Sequence, residues 1–443
     1  MITAYRTIAA SLAAATSLAV GAVIAAQQPR ITNGQVAARS ASSPFAQSFN
    51  ALVAATNDVA WIGYAVPVVD GERIMCCFGG ETTWVNGQVV SSSAQGCCRV
   101  CKLEPSADGT SMARRAPGDA GTGVVRLEAS DRMIVLVRVA AREVDRVRVF
   151  SEDCELDAGG KPVTWLNDVR VADSVALLES FITATTPVRR DRVVEGSISA
   201  IALTGDPAAD ASLERLVTPA QPETVRKKVT FWLGNTRKAR GLAVLKRVLK
   251  EDPSPEVQKS AVFGVSQSRE PDAFDTLAGI AKSDPSARQR SEAIFWLGQR
   301  DDARAAGIIL NALDNDASAE VRKKAVFALG QLKDDRGVDS LINVARNHKD
   351  TTVRSEAIFW LGQKAGKKAS SVITERIDQD PATEVKKKAV FALSQLPKDE
   401  GIPLLINVAR TNTNAEVRKQ AMFWLGQSKD QRAIDFFAEI LKR

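Results

Sequence analysis

The sequence predicts a mainly α protein: an α-solenoid of about eight helical hairpins with a 32-residue period, preceded by a small disulfide-containing β-rich domain. Three observations predict it. A glycine or serine recurs at a constant interval, at Gly234, Ser266, Gly298, Gly330, Gly362, Ser394 and Gly426, always three residues after a phenylalanine. Eleven residues further on stands a large apolar residue: Leu245, Leu277, Ile309, Leu341, Ile373, Leu405 and Phe437. A fixed period of this size marks stacked supersecondary units. Finally, all six cysteines lie between residues 76 and 154, in a segment whose apolar residues alternate or run as strands do.

The elements follow in order. The chain has 443 residues, 45% apolar and 25% charged, which excludes wholesale disorder and a multispanning membrane protein. With one histidine, it excludes a two-histidine metal site. Residues 1–26 read as a signal peptide: Arg6 supplies the basic start, Ile8 to Ala26 an uncharged run, and small residues a cleavage site after Ala26. An uncleaved anchor is the alternative, and no later segment is long enough to span a membrane. The expected localisation is exported, periplasmic or extracellular. Residues 27–58, rich in Ala, Ser, Asn and Gln, predict a flexible lead-in.

Residues 59–183 predict the β-rich domain. Ala60–Val66, Met133–Val139 and the alternating Val144–Phe150 are strand-like, Asp157–Pro162 is a turn, and a helix follows near Asp173–Ile182. Residues 104–123 read as a loop. An even number of cysteines in an exported, compact segment predicts disulfides among Cys76, Cys77, Cys97, Cys98, Cys101 and Cys154, with the pairing left open. A thiolate metal site at Cys98-x-x-Cys101 and a redox-active pair are the alternatives. Asp153, Glu155 and Asp157 alternate as calcium ligands in a loop could, but the EF-hand pattern fails at Thr164.

Residues 187–443 predict the solenoid, with 187–221 as a divergent cap. Ser254, Ser286, Ser318, Asp350 and Asn414 are N-cap residues, and Glu256, Glu320, Glu384 and Glu416 place negative charge in first helical turns. The recurrent glycine is expected to close each helix in the left-handed conformation. Neither helix of a hairpin can bury its apolar stripe alone, so stacking makes one continuous core. Trp232, Trp296, Trp360 and Trp424 recur in every second unit, and each is expected to fill space left by Gly264, Ala328 or Ala392 of a neighbour.

The run Glu320 to Gln331 (EVRKKAVFALGQ) resembles the second helix of a HEAT repeat, of the short type found in bilin-lyase-like proteins. So do Val353 to Gly362 and Val417 to Gly426. An arginine after the valine is typical of that family and stands here at Arg226, Arg290, Arg322, Arg354 and Arg418, with Gln258 and Lys386 as departures. The family's loop aspartate matches Asp252, Asp284, Asp316 and Asp380, and His348 occupies the same position as a loop variant. The resemblance implies protein binding. It implies no activity: the paired His-Glu motifs of di-iron hydroxylases built on such repeats are absent, and an exported chain would not meet the cytoplasmic pigment proteins on which bilin lyases act.

The candidate site is a ladder of Phe231, Phe263, Phe295, Phe327, Phe359, Phe391 and Phe423. At about 100° per residue, Phe327 falls opposite the apolar stripe of its helix, between Lys323 and Lys324. One reading is packing between repeats. The other is a face that binds an extended acidic or amphipathic protein segment, flanked by Lys227, Lys323 and Lys387. The function expected is therefore a non-enzymatic scaffold or adaptor of the cell envelope, with no cofactor, no catalytic residue and no metal. The alternatives are an enzyme or thiol-redox factor using the cysteine domain, and binding of an envelope polymer by the basic solenoid. Nucleic acid is not an expected partner, because base-stacking modules are missing.

Overall fold

A computed structural model describes residues 30–72, 83–85, 88–90, 101–104, 130–183, 190–333, 335–364 and 367–442. The signal peptide, the 105–123 part of the loop and Cys76, Cys77, Cys97 and Cys98 lie outside these residues. Among the described residues no helix is long and apolar enough to cross a membrane.

The N-terminal part is built on a five-stranded sheet. In chain order the strands are β1 (Arg30–Thr32), β2 (Val36–Ser40), β3 (Ala60–Pro67), β4 (Thr83–Val85), β5 (Gln88–Val90), β6 (Cys101–Lys102), β7 (Arg132–Ala140), β8 (Glu143–Ser151), β9 (Glu155–Asp157) and β10 (Val163–Asn167). The main sheet runs β2-β10-β3-β7-β8, parallel over its first three strands and antiparallel over the rest. Both faces are buried, which is why β3 and β7 read as nearly continuous apolar runs. Ile62, Tyr64, Val66, Met133 and Val135 face the helices, while Trp61, Ile134, Leu136 and Trp165 face the small sheet β1-β9-β6.

The lead-in expected at 27–58 is instead structured from residue 30. Its β2 pairs in parallel with β10, a long-range partner that local composition does not reveal. Its helix α1 (Phe45–Ala55) buries Phe45, Phe49 and Val53.

Helix α2 (Val171–Thr183) leads into eight hairpins: α3 (Arg190–Leu203) with α4 (Pro207–Leu216), α5 (Glu223–Thr236) with α6 (Lys238–Glu251), α7 (Pro255–Gln267) with α8 (Asp272–Ser283), α9 (Ala287–Gln299) with α10 (Ala305–Asn315), α11 (Ala319–Gln331) with α12 (Asp335–Asn347), α13 (Thr351–Lys364) with α14 (Lys367–Gln379), α15 (Thr383–Ser394) with α16 (Lys398–Thr411), and α17 (Ala415–Ser428) with α18 (Gln431–Leu441). The caps behave as the spacing predicts at Ser254, Ser286, Asp350 and Asn414, whose side chains accept bonds from first-turn amides. Ser318 makes no such bond.

One apolar core runs from the sheet into the hairpins without a break. Helix α3 lies directly on β8: a Cβ on Gly196 would come within 2.1 Å of the Val147 carbonyl oxygen. Backbone bonds from Val69 N to Leu203 O and from Gly205 N to Pro67 O, each 2.9 Å, tie the end of β3 to the first hairpin. Arg237, buried at the start of α6, donates to the carbonyls of Ile201 and Thr204 at 2.8 and 2.9 Å. The β domain is thus the end plate of the solenoid.

The recurrent glycines do not close helices. Each lies inside its helix, and the left-handed glycines among the described residues are Gly71, Gly159 and Gly160. Their role is close approach. A Cβ on Gly234 would sit 1.9 Å from the Gly264 carbonyl oxygen; on Gly298, 2.8 Å from that of Ala328; on Gly362, 2.9 Å from the Cβ of Ala392. Helices α5, α7, α9, α11, α13, α15 and α17 therefore form a tight layer, while their hairpin partners touch one another far less. This tight layer is termed the inner layer.

Candidate functional site: an aromatic row on the inner layer

Every ladder phenylalanine sits one turn before the end of an inner-layer helix, on the side away from the apolar core. The rings do not stand alone. Phe231 stacks on Phe263 at 5.8 Å between centroids, Phe295 on Phe327 at 5.8 Å and Phe359 on Phe391 at 6.1 Å, all near parallel. Tryptophans join these pairs: Trp296 lies 4.8 Å from both Phe263 and Phe295, Trp360 4.9 Å from Phe327 and 5.1 Å from Phe359, and Trp424 5.0 Å from both Phe391 and Phe423. Trp232 closes the row edge-on to Phe231 at 5.3 Å. Seven phenylalanines and four tryptophans form one uninterrupted aromatic row. The first six phenylalanines and all four tryptophans are half-buried, and Phe423, in the last described hairpin, is 53% exposed.

Ala328 and Ala392 face Gly298 and Gly362, and Gly264 faces Thr230 and Gly234. The space for Trp360 comes from Gly330, whose Cβ would meet the indole at 3.4 Å. The tryptophans belong to the exposed aromatic surface as much as to the core.

Lysines border the row. Lys324 Nζ lies 5.4 and 5.7 Å from the centroids of Phe295 and Phe327, and Lys388 Nζ 4.9 and 5.6 Å from those of Phe359 and Phe391, distances at which an ammonium is drawn to a ring quadrupole. Of the expected flanking lysines, Lys227 lies 3.9 Å from Glu223 and Lys387 3.4 Å from Glu384, both surface pairs of little energetic weight. Lys323 is exposed and has no ion-pair partner among the described residues.

A second row escaped the sequence reading. One turn after each ladder phenylalanine stands a carboxamide: Asn235, Gln267, Gln299, Gln331, Gln363, Gln395 and Gln427. Residues four apart on a helix are surface neighbours, so this row runs beside the rings. Gln299, Gln331, Gln363 and Gln427 make no side-chain hydrogen bond among the described residues, while Gln267 and Gln395 bond only the hydroxyl of the preceding serine at 3.1 Å. Its recurrence at the repeat interval was the available signal.

At the other end of the inner helices, arginines hold the loops. Arg290 Nε and Nη2 bond Asp316 at 2.7 and 2.9 Å, and Arg354 bonds Asp380 at 2.9 and 3.0 Å. Arg226 bonds Asp252 at 3.1 Å, with a second contact at 2.9 Å that is close but poorly aligned. These three rungs fall in every second repeat, each joining a tryptophan-bearing hairpin to the next one. Arg322 has no such aspartate, because His348 replaces it, and its carboxylate contact is with Asp350 at 4.0 Å. His348 Nδ1 accepts from Asp350 N at 3.0 Å, the bond that Asp316 and Asp380 make in their own loops, and Nε2 points to Asp314 at 3.7 Å. His348 is therefore a structural loop residue.

In the cysteine region, Cys101 and Cys154 are buried in one cluster with Trp61, Leu103, Phe150 and Trp165. The acidic run is used locally: Asp153 accepts from Ser130 N at 3.0 Å, and Asp157 from Asn33 and from Gly159 N. Among the described residues no group of acidic, histidine and cysteine side chains could hold a metal.

A stack of helical hairpins with one recurrent inner face defines a repeat solenoid, a class whose extended surfaces serve binding. The HEAT-repeat model matches residues 213–298, 280–362, 307–394, 338–421 and 370–443, together just over half of the chain, and the chain belongs to that family. Its fold is similar to human deoxyhypusine hydroxylase in complex with glycerol, at 17% identity over 58% of this chain and 96% of that one with a TM-score of 0.25. It is similar to the complex of CpcE and CpcF of phycocyanin lyase from Nostoc sp. PCC7120, at 14% identity over 59% and 96% with a TM-score of 0.28. Kap121p is also similar, at 13% identity over 62% of this chain and 36% of that one with a TM-score of 0.37. These likenesses carry no argument about activity. No curated protein matches the chain.

Proposed function

We propose that this protein is a non-enzymatic scaffold or adaptor of the cell envelope that holds an extended segment of a partner protein against the aromatic row of its solenoid. One observation carries the reading: the inner layer leaves a continuous line of eleven rings half-open along its whole length. Covering the open half of each phenylalanine is worth ~1 kcal/mol, so a segment lying across several repeats gains enough to bind. Export rests on the apolar run Ile8 to Ala26, and disulfides among the six cysteines would suit the compartment it leads to.

The test is photo-crosslinking in the native cell from position 323, with captured partners identified by mass spectrometry. A Phe295→Ala, Phe327→Ala, Phe359→Ala variant that remains helical should lose the adduct. Unchanged capture removes the reading. An adduct that vanishes at high salt instead supports binding of a charged envelope polymer, since exposed charge pairs are screened and apolar contacts are not. Amino-terminal sequencing of the mature chain should begin at Gln27.

A further inference from the structure

We infer that the carboxamide row is a main-chain reader: Asn235 and the glutamines that follow it at the repeat interval hydrogen-bond the backbone of an extended, acidic polypeptide segment laid along the aromatic row. The inference deepens the proposed function and rests on it.

A carboxamide carries a donor and an acceptor, and so does each peptide unit of an unpaired strand. The aromatic row supplies the spacing. Its stacked phenylalanines are 5.8–6.1 Å apart, and tryptophans bridge from one stacked pair to the next. An extended chain advances ~6.6–6.8 Å per two residues and turns alternate side chains to the same side. At each stacked pair the two hairpins therefore meet residues about two apart in such a segment, which turn the same way. A β-strand added to a sheet edge is recognised on the same principle, by main-chain bonds at a fixed repeat.

The free carboxamides of Gln299, Gln331 and Gln363 border rings that a bound segment would cover. Covering them without a partner for the amides would leave polar groups buried and unsatisfied, which penalises any ligand lacking hydrogen-bonding atoms at this spacing. The opposite border gives the charge. Lys323 and Lys419 are exposed and have no ion-pair partner among the described residues, so acidic side chains complement that edge. A glycan fits less well. Sugars stack on open ring faces, whereas these phenylalanine faces are turned to one another at interplanar angles of 3–19° and present their edges.

The test uses the full chain and a fluorescein-labelled peptide of about twelve residues alternating glutamate and leucine, which spans ~40 Å when extended. Companion peptides carry N-methyl groups on either the odd or the even amides. Binding is read by fluorescence polarisation. One methylation pattern should weaken binding about tenfold or more, the Gln299→Ala, Gln331→Ala, Gln363→Ala variant should weaken the unmethylated peptide similarly, and the two losses should not add. The variant breaks no hydrogen bond within the described chain, so its melting temperature should match the wild type. Equal affinity for all peptides, or a glutamine variant that binds as the wild type does while the phenylalanine variant does not, overturns the main-chain reader and leaves the aromatic docking face standing. A peptide that binds neither protein, or a soluble dextran sulfate that displaces it from every variant alike, overturns both.

Discussion

Replacing Arg354 by alanine should loosen the joint between the α13–α14 and α15–α16 hairpins far more than the matching change at Arg322 loosens the preceding joint. Both arginines donate Nη1 to two loop carbonyls, His348 and Lys349 for Arg354 and Asp316 and Ala317 for Arg322, at 2.8–3.2 Å. Those losses cancel in the comparison. What differs is the aspartate. Arg354 grips Asp380 through two bonds, and their side chains are 10% and 0% exposed. The Asp380 bond raises the Arg354 pKa beyond its ordinary value, so the arginine is charged at any pH of interest. Truncation strands a buried carboxylate that keeps its bond from Ala382 N, at a cost of ~3 kcal/mol. Arg322 loses a 4.0 Å contact with Asp350, which is 36% exposed, a loss of under ~1 kcal/mol. The expected difference is ~2 kcal/mol, about thirtyfold in the opening equilibrium. Amide hydrogen exchange of α15 in the first variant, against α13 in the second, reads it directly. Adding Asp380→Ala to Arg354→Ala should restore part of the protection. Equal losses in both single variants would refute the claim that the paired aspartate, and not the loop carbonyls, carries the joint.

Gly234→Ala should destabilise the chain by ~1–3 kcal/mol although alanine is the better helix former, because its Cβ would meet the Gly264 carbonyl; Gly426→Ala, with nothing within 4 Å, should stabilise by up to ~1 kcal/mol, both read by chemical denaturation. His348→Asn should leave thermal stability nearly unchanged and His348→Ala should lower it by ~1 kcal/mol, since Asn412 already accepts the equivalent loop bond, from Asn414 N, and its amide also donates to Asp378. The hydrogen bond from Arg290 holds the Asp316 carboxyl below the usual range. That contribution to stability is complete above the unfolded carboxyl value near about pH 4 and is lost as the pH falls through the lower folded value. Asp316→Asn should therefore flatten the acid limb of a stability profile; an unchanged limb would exclude this pair as its source.

The repeat was legible because the same chemistry recurs at the same interval, so each hairpin supports the reading of the others. The phenylalanine row was found by helical geometry alone, since a large apolar side chain opposite an apolar stripe is conspicuous. The glutamines were not, because a polar residue on a polar face looks like ordinary solvated surface. The glycines were misread for a physical reason. Near a helix end, glycine can serve as a cap or as a gap, and only the neighbouring helix distinguishes the two; Gly234 faces the backbone of Gly264, which belongs to another hairpin. The stretch from Val36 to Ala55 was missed in the same way. Its strand exists through pairing with Val163–Asn167, far along the chain.

The alternating rhythm of tryptophan, arginine rung and close glycine approach means that successive seams differ. Helices α5 and α7, α9 and α11, and α13 and α15 are held together by buried ion pairs, parallel rings and backbone contact, while the inner helices at the seams between these couples touch less, set a tryptophan against a phenylalanine and rely on polar bonds such as that from Arg300 to Ser266 O. The rod is a train of stiff carriages with softer couplings, and any flexing should gather at the couplings. Lengthening or shortening it by a whole carriage would preserve every joint, whereas removing a single hairpin would set two unlike surfaces against each other.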